Sequence, residues 1–355
     1  MPSRRIALIG PSRAPVAQPF AGGLTAHLWS LCSKLLERGH DVTLFAPAGS
    51  DPRLPVHELR LGELRLSQDS RSDVSMPPEV MMVEHHAYLS LMLELASGTS
   101  GFDVLHNHSL HYLPLAMSST AAAPMLTTLH TPPTPWLESA VQSAPSMPSR
   151  FAAVSAHTAH RWAPLLGRVD VISNGIDLQA WPQGPGGAGA VWTGRIVAEK
   201  APHLAVHAAR KAGLPITLAG PIDDPDYFDA EVRPLLGGEV DYAGHLTQHM
   251  LSLLVSHSCV AVVTPVWDEP YGLVVAEALA SGTPVAAFGR GGIPDVVDAT
   301  CARLVADDDV GALAQAMDDA AHLPRAAARA RAEAHCSVET MVDRYEDTFT
   351  EMLEL

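Results

Sequence analysis

Short β-rich runs alternate with helix-like segments along the whole of this 355-residue chain, and such alternation restricts it to α/β units wound around parallel sheets. In the first half the strand candidates are residues 4–10, 41–46, 102–107, 123–130, 150–155 and 169–173, with helical patterns at 24–38, 80–97 and 156–166. The second half repeats the scheme, with strands near 190–194, 215–219, 240–243, 260–265 and 284–288 and helices near 201–212, 247–256, 271–281 and 310–321. Each half predicts its own doubly wound sheet, and two such sheets set a ligand cleft at the carboxyl ends of their strands. Residues 182–190, PQGPGGAGA, combine two prolines and four glycines without an apolar period and form the predicted linker. The division is then 1–180, 181–335 and a terminal helix at 336–355. That helix carries Met341, Tyr345, Thr348, Phe349 and Met352 at helical spacing and fits as a cap on either domain, including by crossing back onto the first.

Charge narrows the function. With 23 Lys+Arg against 39 Asp+Glu the net charge is −16, a poor match for nucleic acid, whose phosphates need a basic surface. The imbalance is uneven: residues 1–180 carry a net −2 and residues 181–355 a net −14, as expected of two domains with different surfaces. Cys32, Cys259, Cys301 and Cys336 are widely spaced and show no C-x-x-C pair, so reduced thiols are expected. The opening MPSRRIALIG stops its apolar run at Gly10 and reads as a first strand, and no apolar stretch approaches the roughly 20 residues of a membrane span. A soluble, cytoplasmic protein is expected. Residues 80–97 include Glu84 and Glu94 but no Lys or Arg, so strong attraction to anionic lipid is not expected either.

The densest chemistry lies at 268–278, DEPYGLVVAEA. On a helix over 270–281, Glu269 and Glu277 would stand about 12 Å apart along the axis and within about 80° around it. That spacing suits a ligand with two polyhydroxyl ends, such as a nucleoside diphosphate sugar, with the unpaired N–H groups of the first turn between them to hold phosphate. After the linker, VWTGRIVAEKAPHLAV (191–206) places Arg195 and Lys200 ahead of a helix. Two cations there either neutralise a leaving diphosphate or decorate the surface. Gly22 and Gly23 end the loop after the first strand and either let backbone approach a phosphate or make an ordinary turn. No G-x-G-x-x-G is present, which argues against a dinucleotide. His130 closes the strand TTLH at the cleft end, where it is either a structural histidine or a site residue, and TPPTPW follows it as a rigid aromatic wall or a Pro-rich turn. In HNHSLH, alternation along the strand is taken to point His106 and His108 to opposite faces, so no metal site is expected. NGID (174–177) and GGIPD (291–295) read as turns.

Taken in order, Gly22-Gly23, DVLHNH, TTLH, NGID, Arg195 and Lys200 in GRIVAEK, EPYGLVVAEALASGTPV and GGIPDVV resemble retaining glycosyltransferase family 4, of the GT-B fold. The likeness spans residues 4 to 297. It implies two Rossmann-like domains facing across a cleft. Gly22 and Gly23 would lie at the donor diphosphate, which Arg195 and Lys200 would bind. Glu277 would hold the ribose hydroxyls. Glu269 and the amides of Tyr271, Gly272 and Leu273 would meet the sugar and distal phosphate, His130 would lie beside the transferred sugar, and Gly291 and Gly292 would form a loop near the donor. Two positions depart from the family pattern: Asp295 replaces the usual Glu, and Ala201 stands where Gly follows the Lys.

The implied reaction moves a sugar from a nucleoside diphosphate donor, with UDP-sugars leading, to an unknown acceptor nucleophile with retention. It needs no cofactor and no metal, since the two cations face the leaving diphosphate and no D-x-D motif sits in a suitable loop. The alternatives are a nucleotide-sugar 2-epimerase or hydrolase, which would turn over donor alone, and a silent nucleotide-sugar binding module, which would ignore Glu269→Gln.

Overall fold

The computed structural model describes residues 2–60, 62–143, 149–306 and 308–354. The first sheet has seven strands: β1 (Arg5–Ile9), β2 (Asp41–Ala46), β3 (Val56–Glu58), β4 (Val104–Asn107), β5 (Met125–Leu129), β6 (Ser149–Ala153) and β7 (Asp170–Val171), in the order β3-β2-β1-β4-β5-β6-β7. The second has six: β8 (Ala190–Thr193), β9 (Ile216–Ala219), β10 (Val240–Tyr242), β11 (Val260–Val263), β12 (Val285–Phe288) and β13 (Ala302–Val305), in the order β10-β9-β8-β11-β12-β13. Every strand pair is parallel. Helices on both faces explain why β4, β5 and β12 are buried at every position, since parallel sheets leave neither face to water.

Both sheets reverse their winding direction once, between β1 and β4 in the first and between β8 and β11 in the second. Loops leaving the carboxyl ends of strands at such a switch point diverge and leave a crevice. The sequence therefore delivers Gly22-Gly23 and His108 to one crevice, and Arg195 and the 264–272 loop to the other.

Two strands lay outside the sequence expectation. β3 and β13 are edge strands of three and four residues, VHE and ARLV, whose charged side chains hide any apolar run. Two of the longer helices were also missed, Pro135–Ser143 and Arg325–His335, the latter so rich in Ala and Arg that it shows little apolar contrast, as were short ones such as Tyr112–Ala116. The helix expected over 271–281 is shorter, Leu273–Ala280, because Gly272 stands in the left-handed region at φ 92° and starts it.

The segment 182–190 is not a loose tether. Gly184 and Gly187 approach the backbone of Ser256 and His257 so closely that a Cβ would sit within 2.6 Å of Ser256 O and 2.1 Å of His257 O. Arg325 clamps it, donating to the carbonyls of Gly184, Ser256, Ser258 and Ser281. The glycines serve close packing here rather than flexibility.

The terminal helix Val338–Leu353 packs on the first domain. Its Met341, Val342, Tyr345 and Phe349 are buried with Ile6, Leu8, Leu28 and Leu31. Glu346, nearly buried, bonds His40 at 2.7 Å and pairs with Arg38. The chain thus crosses between domains twice, and the two crossings lie side by side: Ile176 N–H donates to Cys336 O at 2.8 Å, and Val338 N–H returns to Ile176 O at 3.0 Å. Gly175 is required there, because a Cβ would fall 2.5 Å from Val338 Cα. NGID is therefore a paired crossing and not the expected turn, which falls after it, where Ala180 N–H donates to Asp177 O at 3.1 Å.

Candidate active site

The two crevices merge into one interdomain cleft of about 950 Å³. Two helix N-termini face each other across it. Helix Gly23–Glu37 opens with no side-chain cap, as does helix Leu273–Ala280, so each keeps first-turn amides for a ligand anion. The approach is tight: a Cβ on Gly23 would sit 2.9 Å from Leu273 Cδ1, and one on Gly22 3.7 Å from Arg195 Cδ. Ser155 and Thr158 of the first domain donate to Pro270 O of the second, and His157 N–H donates to Asp295 at 3.3 Å, holding the domains together.

The second domain supplies the charges. Arg195 follows β8 and pairs with Glu199 (2.7 Å) and Asp223 (3.1 Å). Lys200 ends a tight 3-10 turn, Ala198–Lys200, and bonds directly to Glu269. The Trp267 indole donates to the same carboxylate at 3.1 Å and lies under the Lys200 ammonium at 4.9 Å. The Thr264 hydroxyl sits 3.0 Å from the carbonyls of Lys200 and Ala201 and accepts from Trp192, which fixes the turn. Ala201 adopts φ 45°, a conformation that favours glycine, and keeps Lys200 in place at a cost of about 1–3 kcal/mol.

Glu277 lines the cleft, half-buried, and among the described residues its carboxyl has no hydrogen-bond or salt partner. Burial without a compensating cation pushes it up to about 8. Only Glu277 lies on the helix. Glu269 belongs to the non-helical loop before it, so the expected spacing of two carboxylates along one helical axis does not apply.

The first domain answers with neutral rings. His130, at the end of β5, lines the cleft and shares a hydrogen bond with His108 at 2.9 Å. His27, one turn into its helix, completes a triangle with ring centroids 5.2 Å from His108 and 5.1 Å from His130. Behind them His106 bonds Thr128 at 2.8 Å. The expectation that His106 and His108 face apart was wrong: positions two apart on a strand share a face, and their centroids are 3.9 Å apart. Burial lowers His27 to about 4 and holds His106, His108 and His130 well below the usual histidine range, so all four are neutral at pH 7. His27, His108 and His130 place one nitrogen each within 4.8 Å of the others and form the group able to hold a metal ion among the described residues. In the structure His108 and His130 spend nitrogens on each other instead.

The cleft therefore gathers Gly22, Gly23, His130, Arg195, Lys200, Glu269, Tyr271, Gly272, Leu273 and Glu277. Tyr271 is 3% exposed and its ring belongs to the core, which leaves its backbone for a ligand. Gly291 and Gly292 do not line the cleft. They stand behind Glu269: a Cβ on Gly291 would meet Glu269 O at 2.2 Å, and Gly292 N–H donates to that oxygen at 2.6 Å. They set the loop that carries Glu269. The sequence reading missed His27, whose signal was a histidine four residues beyond Gly23 on the same helix, and Trp267, which seats both members of the Lys200–Glu269 pair.

Two parallel-sheet, Rossmann-like domains closing on a shared cleft at both switch points define the GT-B fold. Among solved structures, sucrose-phosphate synthase from Thermosynechococcus elongatus superimposes with a TM-score of 0.77 at 19% identity over 99% of both chains. Anabaena HepE in complex with UDP-glucose gives 0.74 at 17% identity, covering 98% of this chain and all of the other. Residues 21–180 match the family described as Glycosyltransferase Family 4, and residues 187–335 match Glycosyl transferases group 1. Glycogen synthase of Mycobacterium tuberculosis is 28% identical, over 87% of this chain and 86% of its own. D-inositol 3-phosphate glycosyltransferase of Mycolicibacterium smegmatis is 26% identical, over 93% and 86%. The chain belongs to the family 4-type glycosyltransferases of GT-B fold and is a glycosyltransferase enzyme.

Proposed function

We propose that this enzyme transfers a sugar from a UDP-sugar to an acceptor hydroxyl with retention of anomeric configuration and without a bound metal. The observation that carries the reading is Glu277: a carboxyl on the cleft wall, near neutral and unpartnered, on the helix whose uncapped N-terminus faces the same space. A ribose diol supplies the donors it lacks. The diphosphate then lies across the first-turn amides of both helices, beside Arg195 and Lys200, and the sugar reaches Glu269 and His130. Donor binding exchanges the Lys200–Glu269 pair for contacts to phosphate and sugar.

In transfer, the bond from the anomeric carbon to the diphosphate oxygen breaks and the bond to the acceptor oxygen forms on the same face. The acceptor proton passes to the leaving phosphate oxygen. Arg195 and Lys200 stabilise the charge that develops there, the role a metal fills elsewhere. A neutral His130 accepts or donates a hydrogen bond without attracting that charge. Closure about the hinge at Gly175–Ile176 excludes water, which keeps hydrolysis slow.

Calorimetric titration of UDP, ADP and GDP in buffers of different ionisation enthalpy tests the site. Diol donors favour the carboxylate, so UDP binding at pH 7 releases up to about one proton, and affinity rises as pH approaches 8. Glu277→Gln abolishes the proton release and weakens binding by about 10–100-fold. Proton-independent UDP binding in the wild type, or rapid turnover of donor without acceptor, rejects the assignment.

A further inference from the structure

The first-domain wall opposite the charges carries a feature that donor binding does not use. Four rings are stacked in series: Tyr88 on His111 (centroids 4.7 Å, 23° between planes), His111 on Tyr112 (4.9 Å, 26°) and Tyr112 on Trp136 (5.1 Å, 22°). The series is anchored at its buried end, where the Tyr88 hydroxyl donates to Gly10 O at 2.9 Å, and in the middle, where the Tyr112 hydroxyl meets His85 Nδ1 at 3.2 Å. It runs from 1% exposure at Tyr88 to 59% at Trp136, so an indole held by three rings behind it reaches open cleft. Met81 and Leu110, 47% and 48% exposed, line the same space. Large apolar side chains left in water inside a cleft mark a binding surface.

Charge selects the occupant. The cation this wall contributes among the described residues is Arg13, and it donates to Glu84 at 3.3 and 3.4 Å. Glu84 also accepts from Ser12 and keeps its carboxyl below the usual range despite burial. The wall thus offers its ligand a single cation, already paired, where the opposite wall holds two. A phosphorylated acceptor would lose its hydration there beside the Glu84 carboxylate, with only one cation, already shared with Glu84, to offset the cost. A pyranose ring has an apolar face to lay on an indole and hydroxyls to meet Glu84 and His85.

We propose that the acceptor is a neutral sugar ring, free or glycosidic, stacked on Trp136 and hydrogen-bonded by Glu84 and His85. The assignment rests on the transferase reading above. Its test compares wild type with Trp136→Ala and Trp136→Phe, using neutral mono- and disaccharides, sugar phosphates, inositol phosphates and simple phenols as acceptors, with UDP affinity measured in parallel. The expected result is transfer to neutral sugars at least tenfold better in kcat/KM than to their phosphates. Trp136→Ala raises acceptor KM at least tenfold with kcat within about threefold, Trp136→Phe restores most of the loss, and UDP affinity is unchanged in both. Where transfer is too slow to follow, saturation-transfer NMR with UDP present shows neutral-sugar contact that Trp136→Ala removes. Preference for phosphates or phenols, an unchanged acceptor KM in Trp136→Ala, or no neutral-sugar contact overturns the proposal. Loss of UDP binding in the wild type strikes at the transferase reading instead.

Discussion

The two walls of the cleft manage charge by opposite means. On the second domain, fixed charges pair with one another, Lys200 with Glu269 and Arg195 with two carboxylates, Glu199 and Asp223. The exception, Glu277, is kept protonated by burial. On the first domain, His27, His106, His108 and His130 lose their charge chiefly by desolvation, and stacked rings lie beside them, with Arg13–Glu84 as an ion pair. A wall of exchangeable ion pairs suits a diphosphate, which can take over the cations. Uncharged rings suit a ligand recognised by shape and hydroxyls.

The difference makes the walls respond to pH with opposite sign, and this yields the largest expected effect. The histidines bind protons in the unfolded chain at about 6.5 but not when folded, so they cost stability as pH falls. Glu277, raised from 4.5 to about 8, binds its proton in the folded state and gains stability over the same range. Between pH 7 and 5.5 the desolvated histidines, His111 among them, cost stability, and Glu277 returns about 2 kcal/mol of that loss. Urea denaturation should show a net loss of stability over this range in the wild type and a steeper one in Glu277→Gln. A stability independent of pH over this range would remove the contrast.

Next in size, Lys200→Ala should lower kcat by about 10²–10³-fold while leaving acceptor KM near its wild-type value, because it strips charge from the donor wall alone. A matching rise in acceptor KM would mean the walls are not separable. Smallest is the hinge. Gly175→Val drives a side chain into Val338 and should cost about 1–3 kcal/mol of stability, with kcat and KM changing together as closure is disturbed. Altered stability with unchanged kinetics would show that the paired crossings do not govern closure.

The charged wall of the cleft was legible in the sequence because one strand-loop-helix unit carries most of it: Glu269, the amides of 271–273 and Glu277 lie within nine residues. Arg195 and Lys200 come from a second such unit. What the sequence hid was partnership. Nothing in EPYGLVVAE shows that Glu269 bonds Lys200, 69 positions away, or that Gly291 and Gly292 support Glu269 from behind. Of the ring-lined wall the sequence offered Trp136, in TPPTPW, but not its company, since Tyr88, His111 and Tyr112 come from two other helices and the residue ahead of one, and share no period with it. His108 was misjudged through the two-residue repeat of a strand, and the glycines of 184–189 were read as flexible because close backbone packing leaves the same composition. The alternation of strands and helices did carry the architecture, except at the charged edge strands β3 and β13.

The anomeric configuration of the product tests the central claim most directly. Proton NMR of the glycoside formed from an α-linked UDP-sugar, recorded before any equilibration, should show the α configuration. A β product would contradict same-face transfer and the placement of the acceptor beside the leaving diphosphate.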